Sequence, residues 1–220
     1  MPDDPSALHL NLWKKRLGTV PAWVWERTKL ETLVLADNEL LEVSPHAGLL
    51  KNLRMLDLGH NKLTRVPDAL GDLESLTDFL YLHDNQLSSL PESLSRLTKL
   101  RYLNISENAF ETLPEAISGM AGLIELRASD NRLTSLPDSI GRLARLRELH
   151  LRNNQLATMP ESIGSLQELR QIDLRGNPLT QLPAAIAILP RLEKLDLRWV
   201  NLPPPGWLAS LESRGCVVYR

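Results

Sequence analysis

The side chains best suited to nucleophilic, acid–base or metal chemistry are five histidines, His9, His46, His60, His83 and His150, and a single cysteine, Cys216. Each would need partners at a fixed spacing, and the familiar arrangements are missing. No Gly-x-Gly-x-x-Gly or Walker-type loop is present to cradle a phosphate, and the 11 glycines are scattered. Neither a Gly-x-Ser-x-Gly elbow nor a His-Glu-x-x-His helix occurs. Cys216 precedes Val217 and Val218 and reads as a small apolar residue in the terminal cap. One pair has metal-site potential: His60 and His83, 23 residues apart, with Asp37 or Asp84 nearby. Imidazole and carboxylate both suit zinc. That spacing, however, belongs to a period running through the whole chain, so the pair is read as a pH-sensitive contact to a partner. The sequence predicts no catalytic residue, no cofactor and no metal site.

The period positions everything else. Asn38, Asn61, Asn85, Asn108, Asn131, Asn154 and Asn177 are 23 residues apart, with one gap of 24. A further step in each direction reaches Lys15 and Val200, which makes about nine turns, seven of them regular. Leucine is the repeated wedge: 48 of 220 residues, against 5% aromatics. One turn reads Leu146-x-x-Leu149-x-Leu151-x-x-Asn154-x-Leu156-x-x-Met159-Pro160-x-x-Ile163-x-x-Leu166, and the next repeats it from Leu169 to Leu189. Alternation at Leu149-x-Leu151 predicts a short strand with both leucines on one face. The Pro-acid pairs (Pro91-Glu92, Pro114-Glu115, Pro137-Asp138, Pro160-Glu161) predict the first turn of a short helical segment. Each Asn falls where the chain turns inward, so its amide is expected to bond backbone groups that lack a ladder partner.

This pattern resembles the leucine-rich-repeat family in its 23-residue form with a Leu-Pro-x-x-Ile convex segment, over nearly the whole chain. The resemblance implies an α/β fold: a right-handed solenoid with a concave parallel β-sheet and short 3₁₀ or α segments on the convex side. It divides the single domain 1–220 into an N-terminal capping turn (1–29), seven regular repeats (30–191) and a C-terminal capping turn (192–220). It also implies non-catalytic protein recognition. Some bacterial members carry a ubiquitin-ligase domain with a Cys-x-Asp nucleophile, which Cys216-Val217-Val218 does not match. A targeting module for a ligase, kinase or translocated effector is the alternative, and a scaffold without a selected ligand a third.

Two irregularities stand out. One residue is inserted within Leu76-Thr77-Asp78-Phe79-Leu80, which is expected to bulge or widen the fourth strand. All five tryptophans (Trp13, Trp23, Trp25, Trp199, Trp207) lie in the end turns, where exposed solenoid faces need caps, with ligand binding by Trp13 or Trp199 as the alternative. The run Trp207–Leu211 reads as helix and Cys216–Tyr219 as a closing strand.

The solvent face of the sheet is left to function. Its columns bring Met55, Phe79, Tyr81, His83 and Tyr102 together in turns three to five, while Phe110 takes a core position. Aromatic side chains are enriched at interface hot spots; the competing reading for Phe79 is that it folds under the inserted residue. Asp37, Asp84, Glu107 and Asp130 form an acidic edge just before the Asn column. Arg127, Arg152, Arg175 and Arg198 follow in turns six to nine, interleaved with Asp173 and Asp196, either to engage an acidic partner segment or to bridge laterally.

Composition closes other classes. No apolar run approaches the roughly 18 residues of a membrane span, and a net charge of -2 provides no basic field for nucleic acid. One cysteine cannot form an internal disulfide, and the acidic start Met1-Pro2-Asp3-Asp4 is unlike a signal peptide. The expected partner is therefore a protein or peptide on the concave face, met by a monomer in the cytoplasm of the producing cell or of a host cell.

Overall fold

The computed structural model describes residues 7–220; the acidic start of the chain lies outside them. Ten strands of three residues each form one parallel sheet in sequence order: β1 (His9–Asn11), β2 (Thr32–Val34), β3 (Met55–Asp57), β4 (Phe79–Tyr81), β5 (Tyr102–Asn104), β6 (Glu125–Arg127), β7 (Glu148–His150), β8 (Gln171–Asp173), β9 (Lys194–Asp196) and β10 (Val217–Tyr219). Seven 3₁₀ segments line the opposite side, from Pro45–Leu49 to Ala184–Ile188. The architecture is the α/β solenoid that the repeat implied.

Each strand puts its middle residue inside. In β5, Leu103 is buried while Tyr102 and Asn104 face outward, and Ile105 turns inward again. The inner row Leu33, Leu56, Leu80, Leu103, Leu126 and Leu149 continues through the stack in one core. Burial of each leucine contributes roughly 1.5–3 kcal/mol, and because every turn lends its flank to the next, that gain exists only in the stack. Turns also pack closely on the 3₁₀ side: a Cβ on Gly71 would lie 2.2 Å from the Ser93 carbonyl oxygen.

The asparagine column is the seam between turns. Asn154 donates from Nδ2 to the carbonyls of Ala128 and Leu151, both at 2.9 Å, and its Oδ1 accepts the Leu133 N–H at 3.0 Å. The same bonds recur along the column. The residue before each Asn has a left-handed backbone: φ is 56° at Asp37, 52° at His60, 48° at Asp84, 56° at Glu107 and 55° at Asp130. Asp and His tolerate this region better than most residues. The acidic edge thus has a conformational reason for its composition as well as an electrostatic one.

Three expectations are corrected in detail. The insertion does not bulge β4, which keeps three residues and regular register, with Phe79 opposite Met55 and Tyr102. Thr77–Asp78 absorb the extra residue ahead of the strand, where the Asp78 N–H bonds the Arg54 carbonyl and its carboxylate pairs with Arg54. The convex prolines cap the 3₁₀ segments from an extended conformation (Pro91 φ -66°, ψ 144°), and the acids occupy the first turn. The tryptophans divide: Trp25 is buried and Trp207 packs on the core, but Trp13, Trp23 and Trp199 remain exposed. At the C-terminal end, a short helix (Leu208–Ser213) and β10 close the stack, with β10 pairing in parallel with β9. Among the described residues, no helix is long and apolar enough to cross a membrane.

Candidate functional site

Parallel register brings the outward aromatic side chains into one patch. Met55, Phe79 and Tyr102 are lateral neighbours on β3, β4 and β5, and Tyr81 follows two residues after Phe79 on the same face. The rings of Phe79 and Tyr81 stack with centroids 5.8 Å apart and planes 9° apart. Tyr102 leans on both, at 5.4 Å from Phe79 and 5.2 Å from Tyr81. Phe79 is 41% exposed, so it does not fold under the inserted residue. Beside it, Asp78, Phe79, Arg101, Tyr102, Ile124 and Glu125 line a shallow cleft of about 220 Å³. Burial pushes the Tyr102 phenol up to about 12 and raises that of Tyr81, aided by the Asp57 and Glu125 charges.

The patch continues at both ends. Toward the N-terminus, Tyr81 meets His83 edge-on at 6.0 Å, and His83 meets His60 at 4.6 Å. Burial, reinforced by the neighbouring His60, holds the His83 imidazole below its ordinary pKa. Its Nδ1 is covered and, among the described residues, has no hydrogen-bond partner, while its Nε2 lies 3.2 Å from the His60 Nε2. Toward the C-terminus, the Arg127 guanidinium lies 5.8 Å from the Tyr102 centroid, within cation–π range.

The structure places the four arginines on the same face but pairs each of them within the chain. Arg127 Nε bonds Glu125 at 2.6 Å, and Arg152 bonds Asp130 at 3.0 Å. Arg175 takes Asp173 through two nitrogens, at 2.8 and 2.5 Å, and Arg198 takes Asp196 likewise, at 3.0 and 2.8 Å. Burial raises the Asp196 carboxyl, but its bonds to Arg198 and the Arg175 charge outweigh this and hold its pKa below the ordinary value. Three of the four pairs join residues two apart along one turn and Arg152–Asp130 bridges laterally; salt bridging is the alternative that the sequence left open, but its i to i+2 direction was missed. Also missed was a cluster in which His150 Nε2 lies 3.2 Å from Glu148 and 3.7 Å from Glu125. Lateral register makes Glu125 and Glu148 neighbours across adjacent strands.

Comparison with known proteins identifies the scaffold. The leucine rich repeat model matches residues 28–87 and 79–133, and a leucine-rich repeat region model matches residues 138–214. The chain belongs to the leucine-rich repeat family. Fibromodulin of Oryctolagus cuniculus is 36% identical over 103 residues, covering 46% of this chain and 68% of that protein. A leucine-rich-repeat protein of Leptospira interrogans superposes with a TM-score of 0.71 at 26% identity, over 96% of this chain and 66% of that one. The plant peptide hormone receptor RGFR1, solved in complex with RGF2, superposes with a TM-score of 0.75 at 32% identity, over 84% of this chain and 31% of the receptor chain. This leucine-rich-repeat chain therefore spans less than two thirds of either solved neighbour. The relatives support protein recognition as the general role of the scaffold.

Proposed function

We propose that the chain is a non-catalytic recognition module that binds a protein or peptide segment across the concave face of its sheet. The observation that carries this reading is the contiguous, outward patch of Phe79, Tyr81 and Tyr102 in a chain with only ten aromatic residues. Stability alone does not call for aromatic rings on a solvated sheet, whereas amphipathic rings with restricted rotamers are effective binding anchors. Met55 and His83 flank the anchors. Arg127, Arg152, Arg175 and Arg198 supply an orienting charge pattern, weaker than unpaired cations because an acidic partner must compete with Glu125, Asp130, Asp173 and Asp196. A peptide-sized occupant is supported by RGFR1, whose solved complex contains RGF2. Cys216 is buried and burial raises its thiol pKa, which supports a packing role for it rather than a nucleophilic one.

The test is a random-peptide selection on the purified chain, followed by affinity measurements on Tyr81→Ala/Tyr102→Ala. Loss of about 2–4 kcal/mol, or thirtyfold and more, is expected from removing two anchors. Undiminished binding by a folded double variant would remove the aromatic patch from the function.

A further inference from the structure

His60 and His83 stand in a more specific relation than lateral neighbours on a sheet require. Their Nε2 atoms face each other at 3.2 Å, and the ring planes cross at 79°. Behind His60, the Asp84 Oδ2 lies 2.6 Å from Nδ1. A carboxylate there keeps the proton on Nδ1 and leaves the Nε2 lone pair directed into the gap between the rings, the usual support of a metal-bound histidine. Two imidazole nitrogens held about 2.0–2.1 Å from a tetrahedral zinc ion lie about 3.3 Å from each other. The two Nε2 atoms already have nearly that separation.

The fold, not chance rotamers, sets this arrangement. The His60 N–H bonds the His83 carbonyl at 3.0 Å, so the backbones carrying the two rings are fixed to each other. His83 can lie where it does because residue 59 is glycine: a Cβ there would be 2.4 Å from His83 Cε1. Asp84 occupies the left-handed position of the next turn, φ 48°, which aims it back at His60. Asp37, Glu39 and Asp84 border an adjoining open hollow; Glu39 engages Lys62 at 3.1 Å and Asp37 faces Lys14 at 3.6 Å, which leaves Asp84 as the carboxylate with no lysine partner among the described residues. The local field therefore favours a cation, and the hollow gives water access to the remaining coordination positions.

We propose that His60 and His83 bind one divalent transition-metal ion, zinc in the first instance, between their Nε2 atoms, with Asp84 as the positioning carboxylate behind His60. Copper(II) and nickel(II), which also favour imidazole, are expected to compete for the same place. The ion would sit at the N-terminal margin of the aromatic patch, next to His83 and Tyr81. The proposal does not depend on the recognition function.

The experiment is isothermal titration calorimetry of zinc chloride into the untagged chain in a non-chelating buffer. Wild type is compared with His60→Ala, His83→Ala, Asp84→Asn and His150→Ala, each first shown to unfold cooperatively in urea. One zinc per chain is expected. Either ligand substitution should abolish saturable binding, Asp84→Asn should weaken it about tenfold or more, and His150→Ala should leave it unchanged. Copper(II) electron paramagnetic resonance at one equivalent should show two nitrogen donors in wild type, and that two-nitrogen signal should be absent from His83→Ala. His83→Gln serves if the alanine variant folds poorly, since it retains the side-chain volume but not the imidazole. No saturable binding in wild type would overturn the proposal. So would zinc binding that survives His83→Ala and is lost in His150→Ala, which would move the ion to the Glu125–Glu148–His150 cluster.

Discussion

Replacing Asn154 by alanine tests the physical basis of the repeat. The side chain is buried and closes bonds on two successive turns: two donated at 2.9 Å, one at 3.3 Å to the Arg152 carbonyl, and one accepted from Leu133. The acceptors are not left bare, because the Ala128 carbonyl also receives Asn131 and the Leu151 carbonyl also receives Asn177. The Leu133 N–H, in contrast, loses the side-chain oxygen that satisfies it. Orphaning a buried donor costs about 1–3 kcal/mol, and each of the two short donated bonds contributes about 1 kcal/mol net. The expected loss is about 3–5 kcal/mol, which at a typical urea m-value of about 2–3 kcal/mol/M lowers the midpoint by roughly 1–2.5 M. Urea titration followed by tryptophan fluorescence and far-UV circular dichroism measures it. Asn108 makes the same pattern of bonds from a half-buried position. Water can partly replace it, so Asn108→Ala is expected to cost clearly less. A loss under about 1 kcal/mol for Asn154→Ala, or a larger loss at Asn108, would refute the account of the column.

Two further perturbations address the backbone and the charged end. Gly176 takes the left-handed position with φ 67°, and a Cβ there would meet Asn153 Oδ1 at 2.5 Å; Gly176→Ala is expected to cost about 1–2 kcal/mol in the same urea assay, and no change would mean that the position tolerates a side chain. Asp196 is buried and its folded pKa is depressed, so its contribution is present above its unfolded value of 3.8 and is lost as pH falls through the folded value. Asp196→Asn should therefore reduce stability by about 2 kcal/mol at neutral pH, with the difference from wild type shrinking below about pH 4; a pH-independent difference would mean that the ion pairs are not its source.

The repeat was legible because the asparagine seam demands one residue type at one spacing, and the Leu-x-Leu strands demand an alternation that seven turns restate. The aromatic patch followed from the same register, since Phe79, Tyr81 and Tyr102 project outward wherever the neighbouring leucines point in. What escaped depends on geometry that a column does not contain. The acidic edge looked purely electrostatic because the left-handed φ of Asp37, Asp84, Glu107 and Asp130 leaves no mark beyond residue preference. The arginines left two readings open, partner contact or lateral bridging, and the i to i+2 direction of the Arg175–Asp173 and Arg198–Asp196 pairs depends on side-chain geometry that a column of charges does not contain. His60 and His83 were visible as neighbours, but the 3.2 Å approach of their Nε2 atoms depends on the space above Gly59. The end tryptophans read as one capping set, yet exposed Trp13 and Trp199 differ from buried Trp25 in ways set by the end turns alone.

Fluorescence polarisation with a selected peptide distinguishes recognition by the aromatic patch from recognition elsewhere on the solenoid. Dissociation constants would be compared for wild type, Tyr81→Ala/Tyr102→Ala and Ile188→Ala, which changes an exposed apolar residue on the opposite side of the solenoid. A weakening of thirtyfold or more is expected in the double variant, with unchanged affinity in Ile188→Ala. Equal affinity for wild type and the double variant, with loss in Ile188→Ala, would place recognition on the convex side and contradict the proposed function.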